Sequence, residues 1–406
     1  MSKNVPEIRF KNYNSEWQIK QLSEIGTLKA GGTPSTFVQS FWNGNINWLQ
    51  SGAVQNNVVY PNAVTKRISQ EGLEHSSAYI IKEDSVLIAI TGATCANVGY
   101  LTFPSAANQS VVAIKNGDET NSKFLFQNLL TQRAQILSFR GGSAQGGVSL
   151  STLKKIKVLV PTLKEQNNIA RLLSSLDLMI ENLTAKIVSL NQFREASLCF
   201  MFPTSNQASP TLRFEGFSEP WKEVSMNDVF TERHEISTIT KQLPQLSFTI
   251  AEGVIFPEDR KSNKRDFLIK DKDNKKYLVT RRGDIIYNPA NVIYGAIHQN
   301  HLTDGVVSPI YKIFKTEQDP NFMEYLVRRP SFIKEMTIYM EGTVTKLKTL
   351  KPESFLKMKA LIAPTLDEQK AIGSFLRSLD ERISIESHRL EKLKRIKTAC
   401  LDKMFV

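Results

Sequence analysis

The chain has 406 residues, of which 41% are hydrophobic and 23% are charged, with a formal net charge of +12 and a pI near 9.4. This length predicts two to three domains, and no stretch of about 18 apolar residues occurs that would predict a membrane-spanning helix. The basic balance favours an anionic partner, nucleic acid first. The opening segment MSKNVPEIRFKN has no apolar signal region, so we expect a cytoplasmic protein.

The cysteines and histidines argue against a metal site. Cys95, Cys199 and Cys400 have none of the short spacings that zinc sites use, and the five histidines are scattered. We therefore expect no metal in this chain.

The first globular part, residues 1–160, mixes short apolar runs such as YIIKEDSVLIAI with Gly, Pro and Asn turns, and it contains the amphipathic stretch NSKFLFQNLLTQRAQILSF. Short apolar runs indicate strands and the amphipathic stretch indicates a helix, so we predict a small α/β domain. GGTPS (31–35) is followed by FWNGNINW (41–48), and the domain ends in the Gly-rich RGGSAQGG (140–147). The last segment lacks the Gly-Lys-Ser/Thr of a phosphate-binding loop, so we interpret it as a turn or a DNA-facing loop.

A helical part, residues 161–203, begins with PTLKEQ and has apolar residues at alternating steps of four and three, the heptad pattern of a coiled coil. Thr162 is expected to cap the helix, with Glu165 at the capping-box position. About 36 residues at about 1.5 Å each predict a rod of roughly 54 Å. The predicted seam consists of Ile169, Leu173, Leu176, Ile180, Leu183, Ile187 and Leu190.

The second globular part, residues 204–363, has apolar runs such as GVVSPIYKIF and the amphipathic stretch PNFMEYLVRRPSFIKEMTIYM, which again predict an α/β domain. It has no GGTPS counterpart, and EGTVTKL (341–347) stands where the first part has its Gly-rich loop. Its densest basic segment, 259–282, contains ten Lys and Arg residues. The same segment also suits a solvated hairpin, because aspartates are interspersed with the basic residues.

A second helical part, residues 364–406, begins with PTLDEQ. Thr365 and Glu368 repeat the predicted capping pattern. One seam position is polar, Glu386. The apolar seam consists of Ile372, Leu376, Leu379, Ile383, Leu390 and Leu393.

The two halves of the chain are repeats of each other. STLKKIKVLVPTLKEQ aligns without a gap on SFLKMKALIAPTLDEQ, and SLD follows in both copies, at 175–177 and 378–380. Farther upstream, Trp17 aligns with Trp221. Matches in this order along both halves indicate a tandem duplication.

Two matched heptad helices in one chain can bury their apolar stripes against each other. If a two-fold axis relates the halves, the helices pair in antiparallel orientation. The alternative is a pair of unrelated core helices, one in each domain. We therefore predict two α/β domains in tandem duplication, joined by two long α-helices that form an antiparallel coiled coil with pseudo-two-fold symmetry.

These motifs resemble the specificity subunit of type I restriction-modification systems. The resemblance is carried by GGTPS with FWNGNINW, by GGSAQGGVSLSTLKKIKVLVPTLKEQ (141–166), and by both Pro-Thr-Leu-x-Glu-Gln helix entries with their SLD continuations. It covers essentially the whole chain. It implies two target-recognition domains, 1–160 and 204–363, separated by a central and a C-terminal helical region.

The resemblance also implies a function and partners. Each recognition domain would bind one half of a bipartite, asymmetric target in double-stranded DNA, and the coiled coil would set the spacer. Two methyltransferase subunits and restriction subunits, which translocate and cut DNA, are the implied partners. They would bring S-adenosylmethionine, ATP and Mg²⁺, so no cofactor is expected in this chain. The expected docking residues are Pro161, Glu165, Gln166, Pro364, Glu368 and Gln369.

No catalytic motif is evident in the chain itself. The nearest segment to an adenine methyltransferase motif, Asn288-Pro289-Ala290-Asn291, fails at its third and fourth positions, and no S-adenosylmethionine loop precedes it. We find neither a nuclease-type acidic motif nor a helicase phosphate-binding loop. A non-catalytic subunit is therefore expected.

Basic side chains on phosphates and polar side chains at base edges are the usual means of DNA recognition. The GGTPS glycines are expected to allow close backbone approach to DNA. In the first domain the candidates are Gly31, Gly32, Thr33, Ser35, Lys66, Arg67, Arg140 and Ser143. In the second they are Arg260, Lys261, Lys264, Arg265, Lys275, Lys276, Arg281, Arg282, Asn288, Asn291, Tyr294, Lys346, Lys348 and Lys351. Trp42 and Trp48 suit stacking on DNA, but large aromatic residues are more often core.

Two other functions remain open from the sequence. One is a coiled-coil scaffold whose globular ends bind proteins. The other is the specificity chain of a related system that cuts on both sides of a bipartite site.

Overall fold

The computed structural model describes residues 4–141, 146–204, 207–260, 275–342 and 348–406. The chain forms two compact units, Met1–Ala185 with His388–Val406, and Lys186–Ser387. Each unit contains one globular domain and a segment of both long helices. The compact units therefore group the chain differently from the four linear ranges expected from the sequence.

The domain of the first unit is built mainly on one antiparallel sheet. Its strands are β1 (Gln18–Gln21), β2 (Gly26–Ala30), β3 (Trp42–Leu49), β4 (Asn57–Val59), β5 (Lys66–Ile68), β6 (Val86–Ala89), β7 (Val98–Leu101), β8 (Ala106–Ala107), β9 (Val111–Asn116) and β10 (Lys157–Val160). Its helices are α1 (Leu22–Ile25), α2 (Gln70–Glu74), α3 (Ser122–Thr131), α4 (Arg133–Ser138) and α5 (Leu150–Lys155). The sheets have the strand orders β2-β9-β6-β7-β4 and β5-β3-β8, and β1 pairs with β10.

The first long helix, α6 (Leu163–Phe200), leads into the second domain, and α11 (Leu366–Met404) follows that domain. The strands of the second domain are β11 (Lys222–Ser225), β12 (Phe230–Glu232), β13 (Ile236–Ser237), β14 (Ser247–Thr249), β15 (Gly253–Ile255), β16 (Tyr277–Thr280), β17 (Ile285–Tyr287), β18 (Ile297–Gln299), β19 (Gly305–Val307), β20 (Lys312–Thr316) and β21 (Lys359–Ile362). Its helices are α7 (Met226–Val229), α8 (Pro320–Arg328), α9 (Pro330–Tyr339) and α10 (Pro352–Leu356).

The duplication is visible in the sheets. The order β2-β9-β6-β7 of the first domain has its counterpart in the order β12-β20-β17-β18 of the second, and β1-β10 has its counterpart in β11-β21. The β-branched and aromatic side chains of the central strands are buried, as expected for a sheet covered by helices. The first domain adds β4, which pairs in parallel with β7. The predicted fold class, two α/β domains in tandem with two long helices, is confirmed.

The two dissimilar loops occupy equivalent places. Gly141 bridges to Gly147 in the first domain, and Glu341 bridges to Thr349 in the second. Immediately afterwards, the Val148 amide donates to the Ile90 carbonyl at 2.9 Å and the Leu350 amide donates to the Pro289 carbonyl at 3.0 Å. The described residues that flank EGTVTKL and the Gly-rich loop therefore occupy equivalent places in the two domains, although the sequences between them are unrelated.

The long helices pair in antiparallel orientation. In the second unit Lys186 contacts Glu386 and Arg194 contacts Asp380, so the residue number falls on one helix as it rises on the other. Glu386, the polar seam position, therefore meets a lysine. Seam residues that are buried are Ile169, Leu173, Leu176, Leu183, Ile372, Leu376, Leu379 and Leu390, and those that are half-buried are Ile180, Ile187, Leu190, Ile383 and Leu393.

The aspartates of the two SLD segments connect each domain to its paired helices. In the first unit Asp177 accepts from Gln127 of α3 at 2.7 Å and lies 2.5 Å from Lys397 of the opposite helix. In the second unit Asp380 accepts from Tyr325 of α8 at 2.5 Å and pairs with Arg194. Burial, with the hydrogen bond and charge of Asp380, raises the pKa of Tyr325, which keeps the hydroxyl a donor.

The helix entries match the predicted capping boxes only in part. The Thr365 hydroxyl accepts the Glu368 amide at 3.3 Å, which confirms that cap, but both glutamate side chains bond elsewhere. Glu165 is fully buried and accepts from Arg9 through Nε at 2.7 Å and through Nη2 at 2.8 Å. Its repeat counterpart Glu368 accepts from Arg213 twice at 2.8 Å and from the Trp221 indole at 3.2 Å. Each carboxylate thus holds the segment before the domain against the start of the long helix, instead of capping that helix.

The same burial corrects the expected docking residues. Glu165, Gln166, Glu368 and Gln369 are at most 1% exposed. The Gln166 and Gln369 amides donate to carbonyls of their own segments at 2.9 Å. Pro161 is buried and Pro364 is half-buried. The side chains of both glutamates and both glutamines are therefore buried and hydrogen-bonded within their own units, and they are not accessible to a partner protein.

The repeated tryptophans and phenylalanines form two equivalent cores. Phe405 lies edge-on to Trp17 with ring centroids 6.2 Å apart, and Phe202 lies edge-on to Trp221 at 5.8 Å. The end of each long helix thus packs on the tryptophan of the unit in which it finishes. Over the described residues, no helix is long and apolar enough to cross a membrane.

Candidate nucleic-acid interface

The GGTPS segment is packed into the first domain. A Cβ on Gly31 would lie 2.2 Å from the Ala107 carbonyl oxygen, and one on Gly32 would lie 2.3 Å from the Ala78 amide nitrogen. Both glycines therefore allow close approach to the domain itself, which corrects the expectation that they bring the loop backbone to DNA. Thr33 is half-buried and its hydroxyl donates to Gln109, whereas Ser35 is exposed.

The two tryptophans of FWNGNINW support this loop. The buried Trp48 donates its indole N–H to the Gly32 carbonyl at 2.9 Å, and the half-buried Trp42 donates to the Ser35 carbonyl at 3.0 Å. Their rings meet edge to face at 5.1 Å. Their main role is therefore to fix the loop, in agreement with the core alternative.

Two candidate cations lie beside Trp42. Lys66 and Arg67 are exposed on β5, and Lys66 Nζ lies 5.6 Å from the centroid of the Trp42 ring. A cavity of about 640 Å³ opens between β3 and β5. Its lining residues are Trp42, Asn43, Gly44, Val64, Thr65, Lys66 and Arg67. Arg140 is also exposed, and its Nε donates to the Gly146 carbonyl at 2.8 Å. Ser143 lies outside the described residues.

The basic segment of the second domain is described only in part. Lys261, Lys264 and Arg265 lie outside the described residues. Arg260 is half-buried, and Lys275, Lys276 and Arg282 are exposed. Arg281 is tied to Glu235 at 3.1 Å and to Asp304 at 3.3 Å. Its charge is therefore compensated by two carboxylates outside the basic segment.

Other candidates in the second domain also have structural roles. The Asn288 side-chain oxygen accepts the amides of Ala290 and Asn291 at 3.0 and 3.3 Å, which closes a turn. Asn291 is half-buried, and Tyr294 at the end of the same loop is 68% exposed. Lys348 is exposed, Lys351 pairs with Glu341 at 2.6 Å, and Lys346 lies outside the described residues. Tyr294 and Lys348 are thus the more accessible members of this group.

A buried ionic cluster in the second domain was not predicted. Glu324, 4% exposed, accepts from the Gln299 amide at 3.1 Å and lies 2.7 Å from Nε2 of His301. Nδ1 of His298 lies 3.6 Å and the Arg328 guanidinium 3.3 Å from the same carboxylate. Burial acts to raise the pKa of Glu324, but the nearby His298, the hydrogen bond of His301 and the charge of Arg328 outweigh it and lower the pKa overall.

This cluster predicts acid sensitivity of the second unit. Because the folded-state pKa of Glu324 is lowered, its carboxylate stabilises the fold above the unfolded value of about 4.3, and this contribution is lost progressively as pH falls from that value toward the folded-state pKa. Glu324→Gln is expected to be less stable than the parent at pH 7, with the difference shrinking toward pH 3 in thermal unfolding. The exposed Glu317→Gln is the control. A difference that is constant with pH would contradict the assignment.

Comparison with known proteins gives a consistent picture. Residues 14–192 match the family described as type I restriction modification DNA specificity domain. Over 173 residues the chain is 28% identical to the type I restriction enzyme MjaIX specificity subunit of Methanocaldococcus jannaschii, covering 41% of this chain and 39% of that protein. Over 423 aligned positions it is 21% identical to the MjaVIII specificity subunit of the same organism, covering 98% and 94%.

A solved structure shows the same fold over the full length. The S subunit of a type I restriction-modification system from M. genitalium has a TM-score of 0.65 at 15% identity, covering 99% of both chains. The resemblance inferred from the motifs is therefore confirmed.

Proposed function

We propose that this chain, a member of the family of type I restriction-modification specificity subunits, is the non-catalytic DNA-recognition subunit of such a complex. The observation that carries the proposal is the repetition of one domain plan in both units, within a chain whose first half matches a DNA specificity domain. Two domains with the same sheet order but different loops suit two different half-sites. The target is then bipartite and asymmetric.

We further propose that the helical regions set the number of unread base pairs and receive two methyltransferase subunits. Because the Glu-Gln pairs of the helix entries are buried, the methyltransferase subunits would bind exposed apolar side chains of the helices. In the first unit these include Leu178 and Met179, and in the second Val188, Phe193 and Ile385. S-adenosylmethionine, ATP and Mg²⁺ would be bound by the methyltransferase and restriction subunits.

A domain exchange tests the proposal. Cells that carry the chain with its methyltransferase subunit are expected to show adenine methylation at one bipartite sequence. Replacing residues 204–363 by the corresponding region of another specificity subunit should change one half of that sequence and leave the other half and the spacer intact. Methylome sequencing checks this. A change in both halves, or no sequence preference in the parent, would contradict the proposal.

Salt dependence separates this function from a protein scaffold. Duplex binding by the complex with the methyltransferase should weaken steeply with salt, with log K falling by about 0.9 for each neutralised phosphate per decade of salt. Measurement by fluorescence anisotropy over a series of salt concentrations gives the slope. Absent or salt-independent binding would favour the scaffold.

A further inference from the structure

Strand β3 contains a fixed bulge in the WNGN segment. Trp42 and Ile46 both lie opposite Ile68 of β5, so the three residues between them have no partner in the ladder. Asn43 has a φ of 59°, a left-handed conformation that asparagine adopts more readily than most residues. A Cβ on Gly44 would lie 2.4 Å from the Ser69 Cα, so the bulge packs directly on the chain after β5. Bulges of this kind commonly re-aim side chains at functional sites.

The bulge presents two uncommitted amides. Asn43 and Asn45 are exposed, and neither side chain forms a hydrogen bond with any described residue. Two other turn asparagines of this domain behave differently. Asn56 accepts from the Val98 amide at 3.0 Å, and Asn97 donates to the Val54 carbonyl at 3.1 Å. The side-chain amides of Asn43 and Asn45 are therefore available to a ligand, while the backbone of Asn43 shapes the bulge.

Positive charge without a compensating carboxylate lies next to the Asn43 amide. Lys66 and Arg67 line the same cavity as Asn43, and no acidic residue is among its lining. In the part of the chain that the structure describes, neither cation forms an ion pair. Arg9, Arg213 and Arg233, by contrast, are each held by a buried carboxylate. The surface of the β3–β5 pair therefore combines free cations with free amides.

We propose that this bulge is the base-reading element of the first recognition domain, an inference that rests on the proposed function. A side-chain amide forms a bidentate pair with N6 and N7 of adenine in the major groove, so Asn43 and Asn45 are assigned to adenine edges of one half-site. Lys66 and Arg67 hold the adjacent phosphates, which position the bulge without contributing sequence information. In this proposal the bases are contacted by the bulge and not by the glycines of GGTPS.

The test uses the full chain in complex with its methyltransferase subunit and duplexes carrying the target found by methylome sequencing. Asn43→Gly removes the amide and keeps the left-handed backbone available. It is expected to lower the methylation rate on the cognate duplex about 5- to 150-fold and to relax the preference at one base pair. Asn43→Asp replaces the amide donor by an acceptor and should move that preference toward cytosine. Asn45→Ala should relax a neighbouring position of the same half-site.

The cations and a matched control complete the test. Lys66→Gln and Arg67→Gln should each reduce the slope of log K against log salt by about 1 and leave the preferred sequence unchanged. Asn227→Ala, an exposed asparagine of the second domain, should leave target and rate unchanged. Thermal unfolding of each variant checks that the fold is retained.

Two outcomes overturn the inference. One is that Asn43→Gly and Asn45→Ala keep the parental target and rate. The other is that they retain the parental melting temperature and weaken binding equally on all sequences. Both would leave the proposed function intact, because the parent would still methylate a defined sequence. A parent complex without sequence preference would instead remove the proposed function and the inference together.

Discussion

Replacing Arg9 by alanine is expected to lower the free energy of unfolding of the first unit by about 3–5 kcal/mol. The Glu165 carboxylate, 1% exposed, would lose both guanidinium hydrogen bonds and remain buried without a compensating charge. Thermal or urea unfolding of the purified chain measures the loss. The matched control is Arg171→Ala, at an exposed arginine of α6, the helix that contains Glu165. This substitution should change the free energy of unfolding by less than about 0.5 kcal/mol.

A paired substitution identifies the cause of that loss. Arg9→Met with Glu165→Leu removes both charges and keeps apolar volume, so it should recover most of the stability that Arg9→Ala loses. If the double variant were as unstable as the single one, packing of the arginine stem, and not the unpaired charge, would be responsible.

The second unit offers an internal comparison. Arg213 and Glu368 repeat the pair, but here the Trp221 indole also donates to the carboxylate. In the first unit the equivalent Trp17 indole nitrogen is buried without a partner among the described residues. Arg213→Ala should therefore be less damaging than Arg9→Ala, because one neutral donor remains on Glu368.

The repeats, the long helices and their seam could be predicted from sequence because they depend on local periodicity and on a second copy for comparison. The role of Glu165 could not, because a glutamate three residues after a threonine has the same appearance whether it caps the helix or is drawn away by an arginine 156 residues earlier. The signal was present nonetheless, since Arg9 recurs as Arg213 in the aligned segments. An arginine that recurs in both halves together with a tryptophan indicates an internal contact of the repeat and not an exposed side chain.

The contacts made by loops and glycines are harder to predict from the sequence. The sequence predicts that Gly31 and Gly32 let the backbone approach DNA, but a missing Cβ permits close approach to any neighbour, and here the neighbours are Ala107 and Ala78. The β3 bulge depends on the register between β3 and β5, which no local pattern specifies. The Glu324 cluster likewise required knowledge that α8 packs on β18, which brings a helix glutamate to two histidines that lie near each other in sequence.

The seam predicts the second large effect. Leu176→Asp in the first unit and Leu379→Asp in the second are each expected to cost about 3–5 kcal/mol, because a well-buried leucine is lost and a charge enters an apolar contact. In the first unit the new carboxylate would also adjoin Asp177. Thermal unfolding with hydrogen exchange of each unit locates the damage.

Exposed apolar residues on the same helices supply the controls. Leu178→Asp and Ile385→Asp place the same charge at positions 57% and 67% exposed, so their melting temperatures should stay near that of the parent. If Leu176→Asp melted like Leu178→Asp, the antiparallel pairing would not stabilise the first unit. Under the proposed function, the double variant Leu176→Asp with Leu379→Asp should lose site-specific methylation, because recognition of both half-sites would require both domains to remain on their helices. A single variant that unfolds one unit yet methylates the complete bipartite target would show that the two domains do not act together.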